Sequence, residues 1–174
     1  MPKKSARAPL FSAKDESARP RTDRASALSK GAGAGGGASS ASHRWLVYAD
    51  GASRGNPGPA SIGAVVYDES GREAATVSRG LGRGTNNEAE YQAAIAGLEA
   101  ALELGGGDVE LRMDSQLIIR QLQGRYKVRN ERLRPFFERI LALRARFGSF
   151  SMQHVPRERN KRADELANQA LDGG

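Results

Sequence analysis

From Trp45 onward the apolar positions change period several times, and each change marks an element. Trp45 to Tyr48 are bulky or β-branched and suit a buried strand that ends near Asp50. Gly51, Gly55, Gly58, Pro57 and Pro59 then predict a tight loop. A second strand runs from Ile62 to Tyr67, and Asp68-Glu69-Ser70-Gly71-Arg72 reads as a hairpin turn. The third strand, Glu73 to about Leu81, is therefore expected antiparallel to the second. Thr85-Asn86-Asn87 caps a helix to about Leu104, stopped by Gly105-Gly106-Gly107. Val109 to Met113 is a fourth strand that delivers Asp114. Ser115 opens a short helix to Leu122, a further helical stretch spans about Asn130 to Phe147, and Phe150 to Val155 is a fifth strand. Asn160 is expected to cap a last helix ending near Leu171. Strands alternating with helices after an initial meander predict an α/β fold, a five-stranded mixed sheet flanked by helices.

Residues 1–43 break this pattern. They are rich in Ser, Ala, Arg and Lys, poor in large apolar side chains, and include a run of glycines over 31–37. Such a segment buries too little surface to offset its ordering entropy, so it is expected to be a disordered tail and linker before one folded domain at 44–174. Charge follows the same boundary. Of the net charge of +7, residues 1–44 carry +6 and the rest +1, so contact with phosphates is an expectation for the tail in particular. Cysteine is absent, which excludes disulfides and thiolate metal sites. No apolar run has the length of a membrane span, and the chain is expected to be cytoplasmic and monomeric.

The acidic residues gain meaning from the faces they occupy. Two strands, the first and the fourth, deliver Asp50 and Asp114, and in mixed α/β sheets neighbouring strand ends converge on one crevice. Along the first long helix, Glu90 lines up with Ala94, Gly97 and Ala101, small residues that let a helix approach a sheet. Glu88 lines up with Gln92, Glu99 and Glu103 and is expected in solvent. In the last helix Asp164 lines up with Ala167 and Leu171, while Glu165 shares a stripe with Asn168, Gln169 and Asp172. Four carboxylates, Asp50, Glu90, Asp114 and Asp164, thus face inward. Together they repel unless cations hold them, and all-oxygen ligands suit Mg²⁺ or Mn²⁺.

Trp45 to Leu171 resembles ribonuclease H type 1, the enzyme that cuts the RNA strand of RNA–DNA hybrids. The resemblance is carried by Asp50-Gly51 with Gly55-Asn56-Pro57-Gly58-Pro59, Thr85-Asn86-Asn87-Glu88-Ala89-Glu90, Asp114-Ser115-Gln116, and Asn160 with Ala163-Asp164. It implies a ribonuclease H-like fold and places the family's metal-binding acids on Asp50, Glu90, Asp114 and Asp164. It further implies hydrolysis by two Mg²⁺ ions, with Mn²⁺ as a substitute, leaving a 5′-phosphate and a 3′-hydroxyl. Thr85 and Asn87 would take a phosphate of the DNA strand, and Asn56, Asn86 and Gln116 would reach the minor groove of the hybrid.

Three departures from the well-known bacterial members stand out. Their extra helix and basic handle are absent: Gly124-Arg125-Tyr126-Lys127-Val128-Arg129 leads almost directly into the next helix. Tyr126, Lys127 and Arg129 either contact the hybrid there or serve as a packing tyrosine with solvated charges. The mobile histidine that precedes the final aspartate in many members has two counterparts, His154 and Arg157. Arg157 is favoured for the assisting role, because His154 shares a strand face with Phe150 and Met152. Nothing in residues 1–44 resembles the hybrid-binding domain of eukaryotic members. Two other classes compete: a resolvase- or integrase-like nuclease, and a non-catalytic hybrid-binding protein. The Thr-Asn-Asn and Gly-Asn-Pro-Gly matches disfavour the first, and the complete set of four acids disfavours the second.

Overall fold

The structure is a computed structural model and describes residues 42–173. The tail expected over 1–43 lies outside the described residues, except for Ser42 and His43. The elements are β1 (Arg44–Ser53), β2 (Gly58–Tyr67), β3 (Glu73–Gly84), α1 (Asn86–Glu103), β4 (Asp108–Met113), α2 (Gln116–Leu122), α3 (Arg134–Arg144), β5 (Ser149–His154) and α4 (Lys161–Asp172). A 3-10 turn at Arg157–Arg159 precedes α4. The strands form one sheet in the order β3-β2-β1-β4-β5. β1, β2 and β3 are an antiparallel meander, while β4 and β5 run parallel to β1. Among the described residues no helix is long and apolar enough to cross a membrane.

Element types follow the hydrophobic pattern; several boundaries do not, among them the end of β3 at Gly84 and of α3 at Arg144. β1 continues through Gly51, Ala52 and Ser53, which stay paired with Ile62, Ser61 and Ala60 of β2. Its pairing with β4 has already ended at Tyr48 and Arg112. Asp50 is therefore not a strand end but a strand interior with one neighbour strand missing. For the same reason β2 begins at Gly58, and the loop shrinks to Arg54–Pro57. α3 begins at Arg134 rather than near Asn130. The Asn130 side chain accepts from the Arg132 N–H at 2.9 Å and holds a turn there, and Pro135 fits the first helical turn, where its missing N–H is harmless.

Two helices sandwich the meander. α1 lies over Val47, Ala49, Ile62 and Ala64, and Ala93, Ala94, Leu98 and Ala101 are buried against them. Ile140 and Leu143 of α3 extend this core. A fully buried leucine such as Leu98 contributes about 1.5–3 kcal/mol. α4 covers the opposite face, and it sits unusually close. A Cβ on Gly63 would fall 2.1 Å from the Ala163 carbonyl oxygen and 2.4 Å from the Ala167 nitrogen. The Ser61 hydroxyl donates to the Ala167 carbonyl and that of Ser78 to the Leu166 carbonyl. Glycine and serine on β2 and β3 thus let α4 lie on bare backbone, which fixes where Asp164 comes to rest.

Candidate active site

The site forms where β1 and β4 part. Asp50 pairs with Gly63 across β1 and β2, so its side chain shares the face on which α4 packs. Asp114 follows the last residue of β4. Glu90 arrives from α1, whose first turn abuts Gly51: a Cβ there would lie 2.2 Å from the Glu90 nitrogen. No other residue lets the helix come so near. Asp50, Glu90 and Asp114 each bring a carboxylate oxygen within 4.8 Å of the others. Asp164 lines the same cleft from α4. The cleft measures about 320 Å³ and is also lined by Gly51, Asn86, Arg157 and Asn168.

α1 is started by a reciprocal cap. Thr85 Oγ1 accepts from the Glu88 N–H at 3.2 Å, and the Thr85 N–H donates to Glu88 Oε2 at 2.7 Å. Glu88 is therefore not in solvent, as the stripe with Gln92 suggested; its other oxygen pairs with Arg132 at 3.4 Å. These bonds hold the Glu88 carboxyl below its usual range. Glu88 serves the helix start, and Glu90 is the acid that faces the cleft. A second face assignment shifts too: Asn168, placed on the outer stripe with Glu165, lines the cleft one turn beyond Asp164.

Electrostatics suit a cation. Burial, then repulsion from Asp114, the hydrogen bond to Asp164 and repulsion from Glu90 push Asp50 from 3.8 up to about 8. Burial likewise raises Glu90 to about 7, with hydrogen bonds from Ser115 and Asn86 opposing it. Crowded, buried carboxylates that resist ionising are relieved by a bound divalent ion, and the donor set is hard oxygen throughout. The residues present therefore fit a divalent metal.

The remaining residues singled out from the sequence lie in different settings. Arg157 lines the cleft with its guanidinium 3.8 Å from Asp164. His154 does not line it; its Nε2 lies 3.2 Å from the Asp114 carbonyl oxygen, and so must carry the proton and donate. Asn56 reaches the rim, where its Oδ1 accepts from the Asn86 N–H at 3.2 Å. Thr85 is taken up by the cap, and Asn87 follows Asn86 in the same first turn of α1. Gln116 is exposed at the start of α2. Tyr126, Lys127 and Arg129 line a separate cavity of about 560 Å³ with Gln121, Arg134 and Phe137. There Arg120 stacks on the Tyr126 ring, 5.2 Å from its centre.

A mixed sheet in this order, helices on both faces and four carboxylates gathered where the central strands diverge define a ribonuclease H-like domain. Comparison with known proteins agrees. A family model described as "Reverse transcriptase-like" matches residues 48–170. The chain is 50% identical over 126 residues to the ribonuclease HI of Halobacterium salinarum, covering 72% of this chain and 63% of that protein. The crystal structure of RNase H1 from that archaeon superposes with a TM-score of 0.74 at 49% identity, covering 75% of this chain and 99% of that one. LC11-RNase H1, solved in complex with an RNA/DNA hybrid, gives a TM-score of 0.71 at 44% identity, with 74% and 97% covered. The chain belongs to the reverse transcriptase-like ribonuclease H family. It spans less than two thirds of the length of the Halobacterium relative.

Proposed function

We propose that this chain hydrolyses the RNA strand of RNA–DNA hybrids with two divalent ions, Mg²⁺ or in its place Mn²⁺, leaving a 5′-phosphate and a 3′-hydroxyl. The observation that carries the reading is the convergence of Asp50, Glu90 and Asp114 within 4.8 Å, in a cleft that Asp164 lines as well. Likeness to a protein solved with an RNA/DNA hybrid supports the substrate class. These four residues would hold the ions. When bound, such ions activate a water, neutralise the phosphate and stabilise the leaving oxygen.

The chain's own groups orient the reaction. Asp50 and Glu90 sit on elements locked together at Gly51, so their separation is set by backbone contact rather than by flexible side chains. His154 ties down the carbonyl of Asp114. Arg157 brings a positive charge to the α4 side of the cleft, where it can attract a phosphate and assist departure of product. Asn86 and Asn56 sit at the rim, joined by a hydrogen bond, where base edges of the minor groove would lie. Contact with the 2′-hydroxyl distinguishes RNA from DNA at such a rim. Tyr126, Lys127 and Arg129 form a neighbouring basic surface for the duplex.

Incubation with hybrid, double-stranded RNA and double-stranded DNA, with and without Mg²⁺, tests this. Hybrid alone should be cut, only with metal, and Asp50→Asn, Glu90→Gln, Asp114→Asn and Asp164→Asn should each lose nearly all cleavage while keeping the fold. Glu88→Gln preserves an acceptor for the cap and should remain active. A silent Glu88→Gln beside an active Glu90→Gln would reject the assignment of the acids, and cleavage that survives chelation would reject the metal.

A further inference from the structure

Asn160 stands at the N-cap position of α4, yet its side chain does not cap that helix. An N-cap asparagine ordinarily accepts from the second or third N–H of its own helix. Here Nδ2 points away and donates to the Ala49 carbonyl at 3.0 Å, in a residue only 1% exposed. Ala49 immediately precedes Asp50. It also lies one residue past Tyr48, the last residue of β1 with a partner in β4. Asn160 thus reaches the backbone where the parallel ladder has stopped. Its main chain is equally committed: its N–H donates to the Arg157 carbonyl at 2.9 Å, and its carbonyl accepts from the Asp164 N–H at 3.1 Å. One residue therefore joins the strand of Asp50, the turn of Arg157 and the helix of Asp164.

The other end of the amide argues against a purely stabilising role. Asn160 Oδ1 is buried and meets no donor among the described residues. An amide half-satisfied in a buried position costs stability that an apolar residue would not.

We propose that Asn160 is a positioning residue that holds Asp164 in the cleft beside Asp50; this rests on reading the cleft as a divalent-cation site. Acting through Asp164, it contributes to metal binding before any substrate arrives. Without the Ala49 clamp the first turn of α4 is free to shift relative to β1, and the fourth carboxylate leaves the set.

Calorimetric titration of the full chain with Mn²⁺ alone tests this without requiring turnover. Asn160→Ala and the isosteric Asn160→Asp, whose carboxylate cannot donate to Ala49, should each weaken Mn²⁺ binding about tenfold or more, as removal of orienting groups does. Asn160→Ala added to Asp164→Asn should weaken it no further. Ser70→Ala, which removes the hydroxyl bond to Asp68 in the turn between β2 and β3, should leave it unchanged. On hybrid with Mg²⁺, kcat should fall in the Asn160 variants while KM stays near that of the wild type. Wild-type Mn²⁺ affinity in both variants, full additivity with Asp164→Asn, or loss of the metal-free fold in both would overturn the proposal. A wild-type chain that binds Mn²⁺ but leaves hybrid uncut overturns the assigned reaction, while the Mn²⁺ titrations still decide Asn160. A wild type that takes up no Mn²⁺ overturns both.

Discussion

At Asp50 burial and three acidic neighbours all act in one direction, raising the carboxyl from 3.8 to about 8. The consequence for stability has a definite sign. Below about pH 4 the group is protonated in both folded and unfolded chains. Between about 4 and 8 the unfolded chain sheds the proton and the folded chain keeps it, so metal-free stability falls as pH rises through this window. Glu90, raised to about 7, adds to the same slope. Asp50→Asn removes the titration at its centre. In chelator, thermal melts should show this variant more stable than the wild type at pH 8 and the gap closing toward pH 4. Mg²⁺ or Mn²⁺ should then raise the melting temperature of the wild type more than that of the variant. Identical melting curves for the two proteins across this range would mean that Asp50 is not under electrostatic stress.

α4 illustrates how an element is aimed by what its neighbours lack. Gly63 offers no Cβ, and Ser61 and Ser78 offer hydroxyls to α4 carbonyls, so the helix rests directly on β2 and β3. Gly63→Ala places a methyl 2.1 Å from the Ala163 carbonyl oxygen, which rigid backbone cannot absorb. The helix must lift, at a cost of about 1–3 kcal/mol typical of overpacking. Because Asp164 rides on that helix, metal-dependent stabilisation should fall as well. Chemical denaturation with and without Mg²⁺ measures both effects. A variant of wild-type stability would show that α4 accommodates the methyl without moving.

Across the whole molecule, charge is divided unevenly, with +6 on residues 1–44 and +1 on the remainder. We propose that the tail supplies non-specific attraction to the hybrid and the domain supplies the chemistry. Removing residues 1–43 should leave kcat nearly unchanged, raise KM at low salt, and make binding less sensitive to salt. For a B-form duplex, every phosphate that the tail no longer neutralises makes the slope of log affinity against log salt shallower by ~0.9. Equal slopes for the full and shortened chains would mean that the tail charges are merely solvated, and a collapse of kcat would mean that the tail belongs to the catalytic unit.

Much of the site was legible before folding because periodicity reports faces. Glu90 separated from Glu88 because small residues follow it at helical spacing, and Asp50 and Asp114 stood out because each follows a short apolar run. The element types and the mixed sheet came from the same local signal, which needs only the alternation of apolar and polar positions. What remained hidden depended on partners distant in the chain. Glu88 left solvent because Arg132 and the Thr85 backbone met it. Asn168 turned out to line the cleft, on a helix whose seating is set by close packing at Gly63. β1 outran its expected end because β2 kept pairing after β4 had departed. Asn160, read as a helix cap, proved to be a clamp on Ala49. Sequence alone determined which acids face inward and on which elements they ride, since both are local properties. Only the tertiary structure decided how those elements approach, because that depends on where two backbones meet without a side chain between them.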